Sequence, residues 1–186
     1  GVFFKTRWGN VRPSWHLECA ATAMKYLGET FDIHASGADV IFPHCENVLA
    51  IGRGATGKRP ANYWLHTELV LAEGTKMSRS LGNSVTLEDL EKRGYHDREV
   101  RFFLLSSHYR KPLHFSFGAL ETAKNTVKKL DGFVQRLIRF TPGDGYPDTD
   151  QLIYDVKQDF AGAMDDDFNI SGALASLFGF VNRVGF

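Results

Sequence analysis

Cysteine is scarce in this chain: two in 186 residues, Cys19 and Cys45, too few for a disulfide framework, and no cleavable signal segment is evident. A reducing, cytoplasmic setting is the expectation that follows. Long hydrophobic runs are missing too. None approaches the roughly 20 residues that cross a bilayer, so no membrane partner is expected. An excess of charge of one sign is also absent, because 22 Lys and Arg stand against 22 Asp and Glu. That balance excludes a domain held to nucleic acid by its overall field, and any such contact has to be local. What the chain does have is apolar bulk, 43% of its residues. This suffices for a buried core in one medium domain, or in one domain with an appendage.

The pattern along the chain changes once. Residues 1–13 mix aromatics, cations and turn formers without a period, as in a segment entering a domain midway. Helix formers dominate 17–27 and Gly28 stops them; a strand is expected at 30–34. Ala35-Ser36-Gly37 then reads as a turn into the apolar 40–42, and Pro43 leads a second helix. Further strands are expected at 63–66 and 69–72, the latter ending in the turn at Glu73-Gly74. Alternating helices and strands favour a parallel α/β sheet. Beyond Thr86 only helices are expected: 87–92, 99–105, 117–140, 153–164 and 171–184, with 141–149 a loop. In the longest, Leu120, Ala123, Val127, Leu130, Val134 and Leu137 form a stripe for packing in a bundle. Lys124, Lys128, Lys129, Arg136 and Arg139 flank it, and either phosphate contact or plain solvation fits them.

The sharpest chemical signal is Lys76-Met77-Ser78-Arg79-Ser80, followed by Leu81-Gly82-Asn83. A loop of this kind suits a polyphosphate. Lys76 and Arg79 can both reach a triphosphate if the loop wraps it, and so stabilise charge that builds on departing pyrophosphate. Read by itself, the same loop is equally an ordinary solvated turn.

This segment resembles the Lys-Met-Ser-Lys-Ser loop of class I aminoacyl-tRNA synthetases, with Arg79 where lysine is usual. Arginine keeps the charge. Arg12 to Ala20, Phe31 to Asn47, Phe102 to Arg110 and Met164 to Asn169 extend the resemblance to the cysteinyl-tRNA synthetase family, in that family's order and over nearly the whole chain. The resemblance implies an α/β fold: the second half of a Rossmann-like catalytic domain, 1–85, a connecting helical segment that meets the tRNA stem, 86–116, and the start of a truncated helical bundle, 117–186. It implies a catalytic loop of Lys76, Ser78, Arg79 and Ser80. Lys76 and Arg79 would hold ATP, which arrives with Mg2+. Gly37 and Asp39 lie in the family's glycine-rich turn near the nucleotide, although Ala35 and Ser36 replace two of its glycines. Trp15 and His34 match positions that line the cysteine pocket.

The family also implies one zinc ion that takes the substrate thiolate. Cys19 and His44 match two of its ligands, and a third, a cysteine, is expected upstream. Where the family has a glutamate ligand four residues after the histidine, this chain has Val48, which cannot bind metal. Cys45 is the candidate substitute, although neighbouring helical residues point about 100° apart. Without the resemblance, the two cysteines read as small buried hydrophobes and His44 as a hydrogen-bonded core histidine. The nucleotide motif of the first strand in class I enzymes is absent and expected upstream, so these residues alone are not expected to activate an amino acid. The implied function is ATP-dependent formation of cysteinyl adenylate and transfer to tRNA(Cys), by a monomer. Two alternatives stay open: a cysteine ligase of small-molecule thiol biosynthesis, and a non-catalytic paralogue that acts as a binding module.

Overall fold

The computed structural model describes residues 3–139 and 149–184. The chain forms two compact units, Gly1–Leu69 and Val70–Phe186. The expected loop over 141–149 lies almost wholly outside the described residues.

The first unit opens with a hairpin of β1 (Phe4–Thr6) and β2 (Gly9–Val11), in the segment that showed no period in the sequence. Helix α1 (Trp15–Leu27) begins after Pro13 and Ser14 and ends at Gly28, whose φ of 94° is a conformation that glycine takes without strain. Strand β3 (Phe31–Gly37) follows, then a 3-10 turn Ala38–Val40 and an irregular helical turn Ile41–Cys45 that runs into α2 (Glu46–Thr56). Strand β4 (Ala61–Thr67) lies parallel to β3, with Phe31 opposite Ala61 and Gly37 opposite Thr67. This is the helix-linked parallel pair that the alternating pattern anticipates.

One expectation fails here. Ala35-Ser36-Gly37 is not a turn: these residues end β3, opposite Leu65, His66 and Thr67. Ladder hydrogen bonds to β4 outweigh the turn preference of small residues. The chain reverses only afterwards, through the two helical turns, and Pro43 lies inside the second of them, before α2. Against α2, Gly52 lets Pro60 approach so closely that a Cβ there would sit 2.9 Å from the proline ring.

The second unit holds β5 (Val70–Ala72), β6 (Thr75–Lys76), α3 (Leu87–Lys92), α4 (Asp97–Leu105), β7 (Leu113–Phe115), α5 (Phe117–Arg139), α6 (Thr149–Asp165) and α7 (Ile170–Val184). Strands do not end at Thr86, as the sequence led us to expect: β7 pairs parallel with β5. Three residues between a proline and a helix start carry too short a pattern to show period two. The core gathers Leu90, Tyr95, Val100, Phe103, Leu120 and Ala123. Arg98 donates twice to Asp131, at 2.8 and 3.1 Å, and so ties α4 to α5.

The stripe on α5 holds over its first half, where Leu120, Ala123 and Val127 are buried. It fails over the second, where Val134 and Leu137 are exposed and Phe133 is buried instead, edge-on to Phe180 of α7. A phenyl ring offers more apolar area than valine, and the helix turns that face to its partner. Among the described residues, no helix is long and apolar enough to cross a membrane.

Candidate functional site

The first unit collects four histidines around the end of β3. Trp15, the first residue of α1, stacks flat on His44, with ring centres 3.6 Å apart and planes within 3°. The Nδ1 atoms of His16 and His44 are 2.7 Å apart, so one ring donates and the other accepts. His44 is buried, and burial first, then the neighbouring His16, hold its pKa below the usual histidine value. His34 lies against Trp64 at 4.3 Å. Its pKa is lowered by burial first, then by the charges that His44 and His66 would carry. At both His34 and His44 the surroundings thus favour the neutral imidazole over the cation.

Ser36 links two further groups. Its hydroxyl is 3.1 Å from Cys45 Sγ and 2.9 Å from His66 Nδ1, the residue opposite it on β4. Ser36, which stands where the resemblance implies a glycine, and the candidate ligand Cys45 thus meet in one contact. The glycine that is kept, Gly37, has its own reason: a Cβ there would overlap the Asp39 carboxylate.

The three candidate metal ligands lie in different surroundings. Cys19 is exposed, His44 is bonded to His16, and Cys45, 4% exposed, is bonded to Ser36. Val48 is buried at 1% exposure. Among the described residues no three His, Cys, Asp or Glu side chains form a group able to hold a metal ion. Thiol and imidazole are the donor types that zinc prefers. The residues present nevertheless do not assemble a zinc site.

In the second unit, β5 and β6 form the hairpin that presents the cationic loop, with Glu73 and Gly74 at its turn both at positive φ. Met77 N–H donates to Val70 O at 2.9 Å. The side chain of Asn83 then staples the loop: its Oδ1 accepts from Ser78 N–H at 2.8 Å and its Nδ2 donates to Lys76 O at 3.1 Å. The hydroxyls of Ser78 and Ser80 lie 3.2 Å apart. Residues Arg79–Leu81 make one 3-10 turn closed by Gly82 at φ 69°. Lys76, Arg79 and Ser80 are exposed at the mouth of this loop, and Ser78 is half-buried. Two cations thus stand on a backbone held from within, an arrangement chemically suited to a polyanion. Of these residues the sequence brought forward Lys76, Ser78, Arg79 and Ser80, but gave no role to Asn83, His16, Ser36 or His66.

The sequence profile of the tRNA synthetases class I (C) catalytic domain matches residues 1–125. The chain belongs to this family. A second profile, the DALR domain, matches residues 159–184. Among relatives of this synthetase chain, the Cysteine--tRNA ligase of Carboxydothermus hydrogenoformans is 44% identical over 178 residues, which are 95% of this chain and 38% of the relative. That of Protochlamydia amoebophila is 42% identical over 183 residues, 98% of this chain and 38% of the relative. The chain thus spans well under half the length of these curated relatives. Among solved structures, the ternary complex of Agrobacterium radiobacter K84 agnB2 LeuRS-tRNA-LeuAMS superposes with a TM-score of 0.69 at 13% identity, over 98% of this chain and 29% of that one. This likeness extends the class I synthetase fold to the present chain.

Proposed function

We propose that the protein carrying this chain is a cysteine--tRNA ligase of the cytoplasm, which activates cysteine with ATP and passes it to tRNA(Cys). The observation that carries the reading is the stapled loop from Lys76 to Asn83, in a chain 44% identical to a protein of that name. Cysteine carboxylate attacks the α-phosphorus of ATP, pyrophosphate leaves, and cysteinyl adenylate forms. Lys76 and Arg79 meet the charge that builds on the leaving group. No protein nucleophile is required, because positioning and charge stabilisation supply the acceleration. Gly37 and Asp39 on the nucleotide, and Trp15 and His34 around the small amino acid, complete the assignment.

Zinc stays outside these steps, since the residues present do not assemble its site. Metal analysis of the intact protein that returns one equivalent would bring in Cys19 and His44 as ligands. One observation favours a second reading, a non-catalytic binding paralogue: Val48 is packed as an apolar residue where the family has a ligand. Cysteine-dependent exchange of pyrophosphate into ATP by the intact protein separates the two. Exchange selective for cysteine over serine supports the ligase, and no exchange supports the paralogue.

A further inference from the structure

The corner between α6 and α7 takes no part in the steps above. Asp167 and Phe168, neither of them glycine, nevertheless hold φ of 52° and 55° there, left-handed values that persist only where the surroundings impose them. Three consecutive residues of the connector between α4 and β7 grip this corner. His108 Nε2 is 2.9 Å from Asp167 O, and Tyr109 hydroxyl donates to Asp167 Oδ1 at 2.5 Å. Arg110 donates from Nε to Oδ2 at 2.6 Å and from Nη2 to Oδ1 at 3.1 Å. We propose that Asp167 is a positioning residue for the cationic loop: by clamping this connector it fixes where the sheet of β7, β5 and β6 holds Lys76. The proposal rests on the ligase reading above.

The two pieces that meet at the clamp are each closed on themselves. In the connector, Lys111 N–H donates to His108 O at 2.9 Å. His108 Nδ1 accepts from Arg110 N–H at 3.2 Å, so Nε2 carries the proton and donates to the Asp167 carbonyl. In the corner, Phe168 N–H donates to Met164 O at 3.0 Å, and Asn169 Oδ1 accepts from Gly172 N–H at 3.1 Å. Between them the Arg110 fork meets the carboxylate with two donors, which fixes orientation as well as adding attraction. Tyr109 adds an edge-on contact to Phe168, with ring centres 6.2 Å apart. From the connector the chain runs straight into β7, whose His114 lies opposite Leu71 of β5. On its other side Leu71 faces Lys76 of β6, and the next residue, Met77, donates its N–H to Val70 O of β5. A contiguous ladder thus leads from the clamp to the first cation of the loop. A shift of about 1 Å in a group that meets developing charge can cost up to about a hundredfold in rate, so a loosened connector slows chemistry without touching the amino acid. A role confined to holding α6 and α7 together would leave Lys76 where it is.

The test is cysteine-dependent exchange of pyrophosphate into ATP by the intact protein and by Asp167→Gly, with kcat and KM measured separately. Glycine takes φ 52° without strain, so this variant removes the carboxylate and leaves the turn. The expected result is a kcat lower by about tenfold with the KM for cysteine within about twofold of wild type. Asp167→Asn tolerates the left-handed conformation and keeps one acceptor, and its kcat should fall between the two. Hydrogen exchange at the Met77 amide should quicken in Asp167→Gly by a larger factor than at the core amide of Leu120, which reports general loosening. Should Asp167→Gly fail to fold, Arg110→Lys, which keeps the cation and loses the two-donor grip, carries the same expectations. A kcat within about twofold of wild type in the folded variant overturns the proposal and leaves Asp167 as a support for the helices alone. A Met77 amide that quickens no more than that of Leu120 overturns it as well. The unaltered protein judges the ligase reading separately: with no exchange that reading fails, and the Met77 amide still decides whether the clamp reaches the loop.

Discussion

Replacing Asn83 by Ala tests whether the cationic loop is held in shape from within. The substitution removes two hydrogen bonds, the 2.8 Å acceptor contact to Ser78 N–H and the 3.1 Å donor contact to Lys76 O. Each such bond is worth about 0.5–1.5 kcal/mol, and Asn83 is half-buried, so the lower half of the summed range applies, about 1–2 kcal/mol. Neither bond touches substrate. The loss therefore falls on loop order, which has to be restored before Lys76 and Arg79 can meet a triphosphate. At about 1.4 kcal/mol per tenfold change, cysteine-dependent pyrophosphate exchange should fall roughly five- to thirtyfold. Asn83→Asp should fall further, because it keeps the acceptor for Ser78, sets a carboxylate against the Lys76 carbonyl and adds negative charge beside a polyanion. Hydrogen exchange at the Ser78 amide should quicken in Asn83→Ala. Exchange of pyrophosphate in Asn83→Ala within twofold of wild type would refute the staple.

Other expectations rest on separate contacts. Asp167, itself at φ 52°, accepts from Tyr109 hydroxyl at 2.5 Å and from Arg110 Nε and Nη2 at 2.6 and 3.1 Å, and these donors hold its pKa below the usual carboxylate value. The ion pair thus contributes stability that is present above the ordinary carboxylate pKa and is lost as pH falls through the lowered one. Urea midpoints between pH 7 and pH 2 should show this loss in wild type and a flatter profile in Asp167→Asn; superimposable profiles would contradict it. Leu120→Ala, at a position with no exposure, should cost about 2–5 kcal/mol in urea unfolding, and a cost below about 1 kcal/mol would deny it a place in the core. Val48→Glu places a carboxyl at a 1% exposed site, so its melting temperature should drop more at pH 7 than at pH 5, where protonation relieves the burial of charge. An equal drop at both pH values would mean that the site is open to water.

Much of this architecture was legible because local preference and tertiary context agree. Helices α1, α3, α5 and α7 carry long apolar periods or clear caps, such as Thr86 accepting from Asp89 N–H at 3.2 Å while the Asp89 carboxylate accepts from Thr86 N–H. The misses are places where the partner decides. Ala35-Ser36-Gly37 reads as a turn until β4 is beside it, and β7 is too short to announce itself without β5. In the site, charged loop residues stand out in a sequence because their chemistry is explicit. The staple of Asn83 and the links from Ser36 to Cys45 and His66 do not, because each is a hydrogen bond whose second partner is fixed only by the folded backbone. His16 was passed over for the same reason: its neighbour His44 is 28 residues away.

The most direct test of the central claim is pyrophosphate exchange into ATP by the intact protein, with cysteine as substrate, serine as competitor and Lys76→Ala/Arg79→Ala as the paired control. The account predicts exchange that depends on cysteine, ignores serine and collapses in the double variant. Robust exchange in the double variant, or none in the unaltered protein, would contradict it.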